Sequence, residues 1–114
     1  MIIKQSSMAG EVREKMRGGE GAVKLSLLPK EALPARCRLA GRIVLEKGCS
    51  IGEHKHEGET ELFYCISGEG IVDDSGTVKP FCAGDATMTG GGAYHSIRNE
   101  KDEPLVFMAV IILD

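Results

Sequence analysis

The amino-acid sequence predicts an all-β fold. Three observations carry that reading: fifteen glycines among 114 residues, strand-like runs separated by turn residues, and a C-terminal run from Leu105 to Leu113 that is apolar at every position. The runs recur at intervals of about ten residues, the spacing of a sandwich or barrel. A chain of 114 residues holds one domain, large enough to bury its own core without disulfide staples.

From the N-terminus, Met8, Val12 and Met16 fall four apart, which allows a short helix; the same stretch also reads as a strand. The cluster Gly18-Gly19-Glu20-Gly21 is a turn, and Val23 to Leu28 alternates as a strand does, so a hairpin is preferred. Pro29 and Pro34 bracket a connector, and the β-branched run Arg42 to Glu46 stops at Lys47-Gly48. Further strands are expected at Glu61–Ile66, from Ile71, at Val78–Phe81, Ala86–Thr89 and Tyr94–Asn99. Asp73-Asp74-Ser75-Gly76 has the chemistry of a hairpin turn, Gly90-Gly91-Gly92 that of a loop, and Glu100 to Pro104 is a polar turn. A strand with one face in water alternates, whereas Leu105–Leu113 does not, so both of its faces are expected to be covered. The N-terminal segment or a second copy of the chain would cover the outer one, and a homodimer is expected. The organisation read here is an N-terminal segment, 1–39, continuous with a barrel, 40–114.

With 14 basic and 17 acidic residues the net charge is −3, which excludes the broad positive field that nucleic-acid or acidic-membrane binding needs. The longest apolar run is about half a membrane span and lies at the wrong end for a secretory signal, so a cytoplasmic protein is expected. Cys37, Cys49, Cys65 and Cys82 form no CxxC pair and are read as reduced thiols.

All three histidines fall in two short segments rich in glycine. His54 and His56, at i and i+2, share a face if the chain is extended. Glu61 follows on the next strand-like run, and His95 comes from a separate strand. Three imidazoles and a carboxylate suit a divalent transition metal, Mn, Fe, Co, Ni, Cu or Zn, better than Ca or Mg. The spacing Gly48-x5-His54-x-His56-x4-Glu61-x6-Gly68, followed by Gly84-x7-Gly92-x2-His95-x3-Asn99, resembles the two motifs of the cupin family. The resemblance covers residues 40–114 well. One position departs from it, because Gly90 stands where the second motif usually has proline, and a looser loop before His95 is expected there.

The resemblance implies a double-stranded β-helix of the jelly-roll kind with metal inside the barrel. It implies His54, His56, Glu61 and His95 as metal ligands, with up to two coordination positions left open for substrate or dioxygen. Strand parity then points Phe63, Cys65 and Ile97 inward, giving a small, largely apolar pocket in which Cys65 is a filler. Asn99 is read as a structural hydrogen-bonding residue. Glu57, Glu59 and Tyr94 lie within reach of the pocket mouth, but no catalytic role is assigned to them. Arg42 points either inward to grip a carboxylate or outward from its strand. The function expected is a metal-dependent small-molecule enzyme of dioxygenase, decarboxylase or isomerase type; the alternative is a binding or sensor module that acts through a partner protein.

Overall fold

Alternating burial along the chain decides which side of each strand faces the interior. In the computed structural model, which describes residues 1–114, the strands are β1 (Ala9–Glu14), β2 (Ala22–Leu27), β3 (Cys37–Leu45), β4 (Ser50–Lys55), β5 (Glu59–Ser67), β6 (Glu69–Asp74), β7 (Thr77–Cys82), β8 (Ala86–Gly90), β9 (Tyr94–Arg98) and β10 (Leu105–Leu113). All ladders are antiparallel. They make a six-stranded sheet in the order β1-β2-β3-β10-β5-β8 and a four-stranded sheet in the order β4-β9-β6-β7. The two sheets face each other as a jelly roll, with no ladder closing one onto the other.

Inward residues of both sheets meet in one core. Phe63 on β5 and Phe107 on β10 pack edge to face with ring centroids 4.8 Å apart, a favoured geometry for aromatic pairs. Leu25, Leu45, Ile51 and Ile97 fill the space around them, each at most 2% exposed. Parity along β5 and β9 holds as expected: Glu61, Phe63 and Cys65 are all buried, and so are His95 and Ile97.

The N-terminal segment is a hairpin, with Ala9 to Glu14 paired residue by residue against Ala22 to Leu27. The helical alternative fails because pairing with β2 leaves Val12 61% exposed rather than on a buried helical face. The hairpin widens the large sheet through β2 and β3 instead of folding across it. The hairpin between β6 and β7 turns on Ser75 and Gly76, whose φ angles of 48° and 95° are those of a type I′ turn. Asp73 supports the turn by accepting the Gly76 N–H at 2.8 Å.

Gly48, Gly68, Gly84 and Gly92 all sit at positive φ, as turn positions should. Gly68 has a second reason, since a Cβ there would run into the Pro104 carbonyl. Gly90 is a strand residue, not part of the loop. It pairs with Thr60, and a Cβ at that position would collide with the Thr60 hydroxyl. The loop is therefore confined to Gly91, Gly92 and Ala93. Asn99 is buried and fully engaged: its amide donates to the Leu45 and Glu103 carbonyls at 2.9 and 2.8 Å, and its side-chain oxygen accepts the Lys101 N–H at 2.9 Å. It ties the end of β9 to β3 and to the polar turn.

The C-terminal strand departs from expectation on its outer side. Leu105, Phe107, Ala109 and Ile111 are buried, whereas Met108 is 37% and Ile112 53% exposed. Within one chain, the outer face of β10 is only partly covered, with Val106 and Val110 half-buried. Arg42, next to it on β3, is exposed and points outward, so it does not grip anything inside the barrel.

Candidate metal centre

The small sheet and the large sheet bring four side chains to one point. His54 on β4 lies opposite His95 on β9 in the ladder. His56 follows the end of β4, fixed by its N–H to the Ala93 carbonyl at 3.0 Å and by its carbonyl, which accepts the Gly92 N–H at 2.9 Å. Glu61 reaches across from β5. The ligand atoms of His54, His56, Glu61 and His95 all lie within 4.8 Å of one another. His56 and His95 each place Nε2 3.0 Å from Glu61 Oε1, with His54 Nε2 at 3.8 Å. His95 Nε2 lies 3.1 Å from Nε2 of each other histidine.

Each imidazole is oriented by its other nitrogen. His54 Nδ1 donates to the Gly52 carbonyl at 2.7 Å. His56 Nδ1 donates to Glu59 Oε2 at 2.6 Å. His95 Nδ1 is held by the Thr89 hydroxyl at 2.9 Å, while its ring stacks on Phe63 at a centroid distance of 4.8 Å. A carbonyl or a carboxylate can only accept, so Nδ1 of His54 and of His56 carries a proton and Nε2 is the nitrogen left facing the cluster. These Nε2 atoms converge on the Glu61 carboxylate, an arrangement of potential ligand atoms that a divalent cation could bridge. The donor set thus fits a borderline transition metal, and the outward hydrogen bonds are the kind that orient metal-binding histidines.

The electrostatics agree. Burial alone would raise the Glu61 carboxyl, but hydrogen bonds with His54 and His95 and the charge of His95 and His56 outweigh it and bring it down to about 2. Burial lowers the pKa of His95 against the opposing pull of Glu61. Near neutral pH the site therefore offers an ionised carboxylate and a neutral imidazole at these two positions. Glu59 is held ionised chiefly by Arg38, whose guanidinium meets it in two bonds of 2.9 Å.

A small cavity of about 50 Å³ adjoins the cluster. Its walls are apolar in part, with Leu25, Ile43, Ile51 and Phe63, but Arg13, Arg17 and Arg38 also line it. The pocket is small as expected and more cationic than expected. A larger cleft of about 550 Å³ opens at the β7 and β8 edges around Lys79 and Asp85, and it contains none of the four candidate ligands. Sequence reasoning missed Thr89 and the three arginines and left Glu59 among the solvated loop charges. Glu59 begins β5 instead, whereas Glu57 is exposed and Tyr94 half-buried. Cys65 is a buried thiol whose pKa is pushed up, first by burial, in keeping with a filler.

Removing the hydrogen-bond partner of a metal-binding histidine typically costs about 10- to 100-fold in metal affinity. Glu59→Ala, which leaves His56 Nδ1 without its acceptor, is expected to weaken metal uptake by about that factor, read by competition with a chromophoric chelator. A second expectation concerns the metal-free chain. His95 has a lower pKa folded than unfolded, so the unfolded chain takes up the proton first as pH falls, and stability present above about pH 6.5 declines below it. Glu61 adds a second loss between about pH 4.5 and 2, because its folded pKa is also depressed. A melting temperature that stays level from pH 7.5 to 5 in chelator would contradict a neutral, buried His95.

Comparison with known proteins places this geometry in a family. The sequence pattern of the Cupin domain matches residues 41–111. An oxalate-binding protein of Thermotoga maritima is 45% identical over 114 residues, covering 99% of this chain and 94% of that protein. A crystal structure of a predicted oxalate decarboxylase from Thermotoga maritima superposes with a TM-score of 0.93 at 43% identity, covering 100% of both chains. A sugar phosphate isomerase of the cupin superfamily from Silicibacter pomeroyi shares the fold, with a TM-score of 0.79 at 18% identity over 100% of this chain and 76% of that one. On the match across the barrel and the relative that spans nearly the whole chain, the protein belongs to the cupin family.

Proposed function

We propose that the chain binds one divalent transition metal ion through His54, His56, Glu61 and His95, and at that ion binds a small dicarboxylate of the oxalate class. The observation that carries the first half is the convergence of four potential ligand atoms whose histidines are already oriented from behind. The ligand class is supported by the relative named an oxalate-binding protein and by the three arginines that line the small cavity. A bound divalent ion would supply a Lewis-acid centre with open positions for carboxylate oxygens. The arginines would offset the remaining negative charge and exclude uncharged competitors.

A second reading is turnover of the bound ligand, as a decarboxylase or a dioxygenase; an isomerase has no comparable support. It is favoured by the relative described as a predicted oxalate decarboxylase. Against it stands the lining of the cavity, which holds no carboxyl, imidazole, phenol or thiol beyond the proposed ligands to carry a proton. Binding is therefore the reading we adopt, with a sensing or delivery role. Four free cysteines and the modest negative charge fit a cytoplasmic protein that engages neither nucleic acid nor membrane; no helix is long and apolar enough to cross a membrane.

Elemental analysis of untagged protein is expected to give close to one transition-metal ion per chain, lost in His54→Ala and His95→Ala. Calorimetry should then show oxalate binding to metal-loaded protein only, without formate or carbon dioxide release and without dioxygen consumption. Turnover would move the reading to the enzyme, and an oxalate titration without heat would overturn the ligand class. We further propose that the outer face of β10 and β5, where Met108, Ile112, Tyr64 and Ile66 are exposed, is covered by a second copy. Sedimentation at micromolar concentration should give a dimer, and Met108→Glu should give a monomer.

A further inference from the structure

The loop between β1 and β2 contains two non-glycine residues in the left-handed region, Lys15 at φ 49° and Arg17 at φ 56°. Side chains avoid that conformation, and it persists where the surroundings over-determine it, as at ligand clamps. Here the surroundings are backbone on backbone. The Ser50 N–H donates to the Glu20 carbonyl at 2.8 Å, and the Glu20 N–H to the Ser50 hydroxyl at 2.8 Å. Gly19 lies against Ser50 and Gly52, and Gly52 lies against the Arg17 carbonyl, so closely that neither glycine has room for a Cβ. The loop is thus pressed onto β4, the strand that carries His54, and Arg17 lines the same cavity as His54, His56 and Glu61.

Of the three arginines there, two are already committed. Arg38 forms its paired bonds with Glu59, and Arg13 bonds Glu11 at 2.8 Å. Arg17 forms no ion pair and no side-chain hydrogen bond. We propose that Arg17 is the specificity-determining residue of the site, its guanidinium meeting the second carboxylate of a small dianion so that dicarboxylates are selected over monocarboxylates. This rests on the anion reading above. An unpaired guanidinium carried on a constrained backbone gives paired, charge-assisted hydrogen bonds to a carboxylate, while a monoanion bound through its one carboxylate presents nothing for it to hold.

Titration calorimetry with oxalate and with formate, on metal-loaded wild type, Arg17→Gln, Arg17→Lys and Arg17→Gly, tests the proposal. Glycine adopts the Arg17 backbone angles without strain, so Arg17→Gly is expected to keep or raise the melting temperature and removes misfolding as an explanation. The glutamine and glycine variants should weaken oxalate by about tenfold or more and formate by less than about twofold. Metal content should stay unchanged in both, and lysine should recover part of the oxalate affinity. Equal losses for the two anions, an oxalate affinity within about twofold of wild type, or loss of metal would overturn it. If wild type binds oxalate and Arg17→Gly binds it as well, this inference alone fails; if metal-loaded wild type binds neither anion, the anion reading fails and Arg17 has no such role.

Discussion

Four potential ligand atoms crowd within 4.8 Å of one another, and the restraints that hold them there organise the protein. His54, His56 and His95 cannot turn away, because each Nδ1 is held from behind by Gly52, Glu59 or Thr89. Glu61 cannot withdraw, because β5 is locked between β10 and β8. Phe63, one pleat along from Glu61, stacks on His95 and passes the restraint into the core through Phe107. The jelly roll places the site between the two sheets, where a charged centre is shielded from bulk water and its interactions are correspondingly strong.

The four site residues were legible in the sequence because their signal is local: an HxH pair on a strand, a glutamate at a fixed distance and a histidine after glycines. Inward parity along β5 and β9 was legible for the same reason, since a strand has period two. What supports those residues was not legible. Thr89 on β8 meets His95 on β9 across a loop whose length hides the register. Arg38 meets Glu59 across 21 positions, a pairing set by two strands that flank β10 rather than by any spacing. The Gly52 partner of His54 is a backbone carbonyl, which leaves no mark on residue type.

Two further features show how a short motif and a fold divide the information. The β-branched run from Arg42 predicted the C-terminal half of β3, but the strand begins at Cys37, because Leu39 and Cys37 have partners on β10 that only the assembled sheet supplies. The apolar run at the C-terminus predicted a strand covered on both sides, and the single chain covers one. The outer side keeps Met108 and Ile112 exposed, aliphatic groups that neither the hairpin nor a neighbouring strand covers.

Gly52 joins two parts of the molecule that the chain keeps far apart in sequence. Its carbonyl holds His54, and its Cα lies against the carbonyl of Arg17. One residue without a side chain is therefore the bearing on which both the metal-facing strand and the arginine loop rest. Whatever shifts the loop must also lean on the imidazole, so under the proposed function an anion in the cavity and an ion at the histidines would each alter the affinity for the other by the same factor.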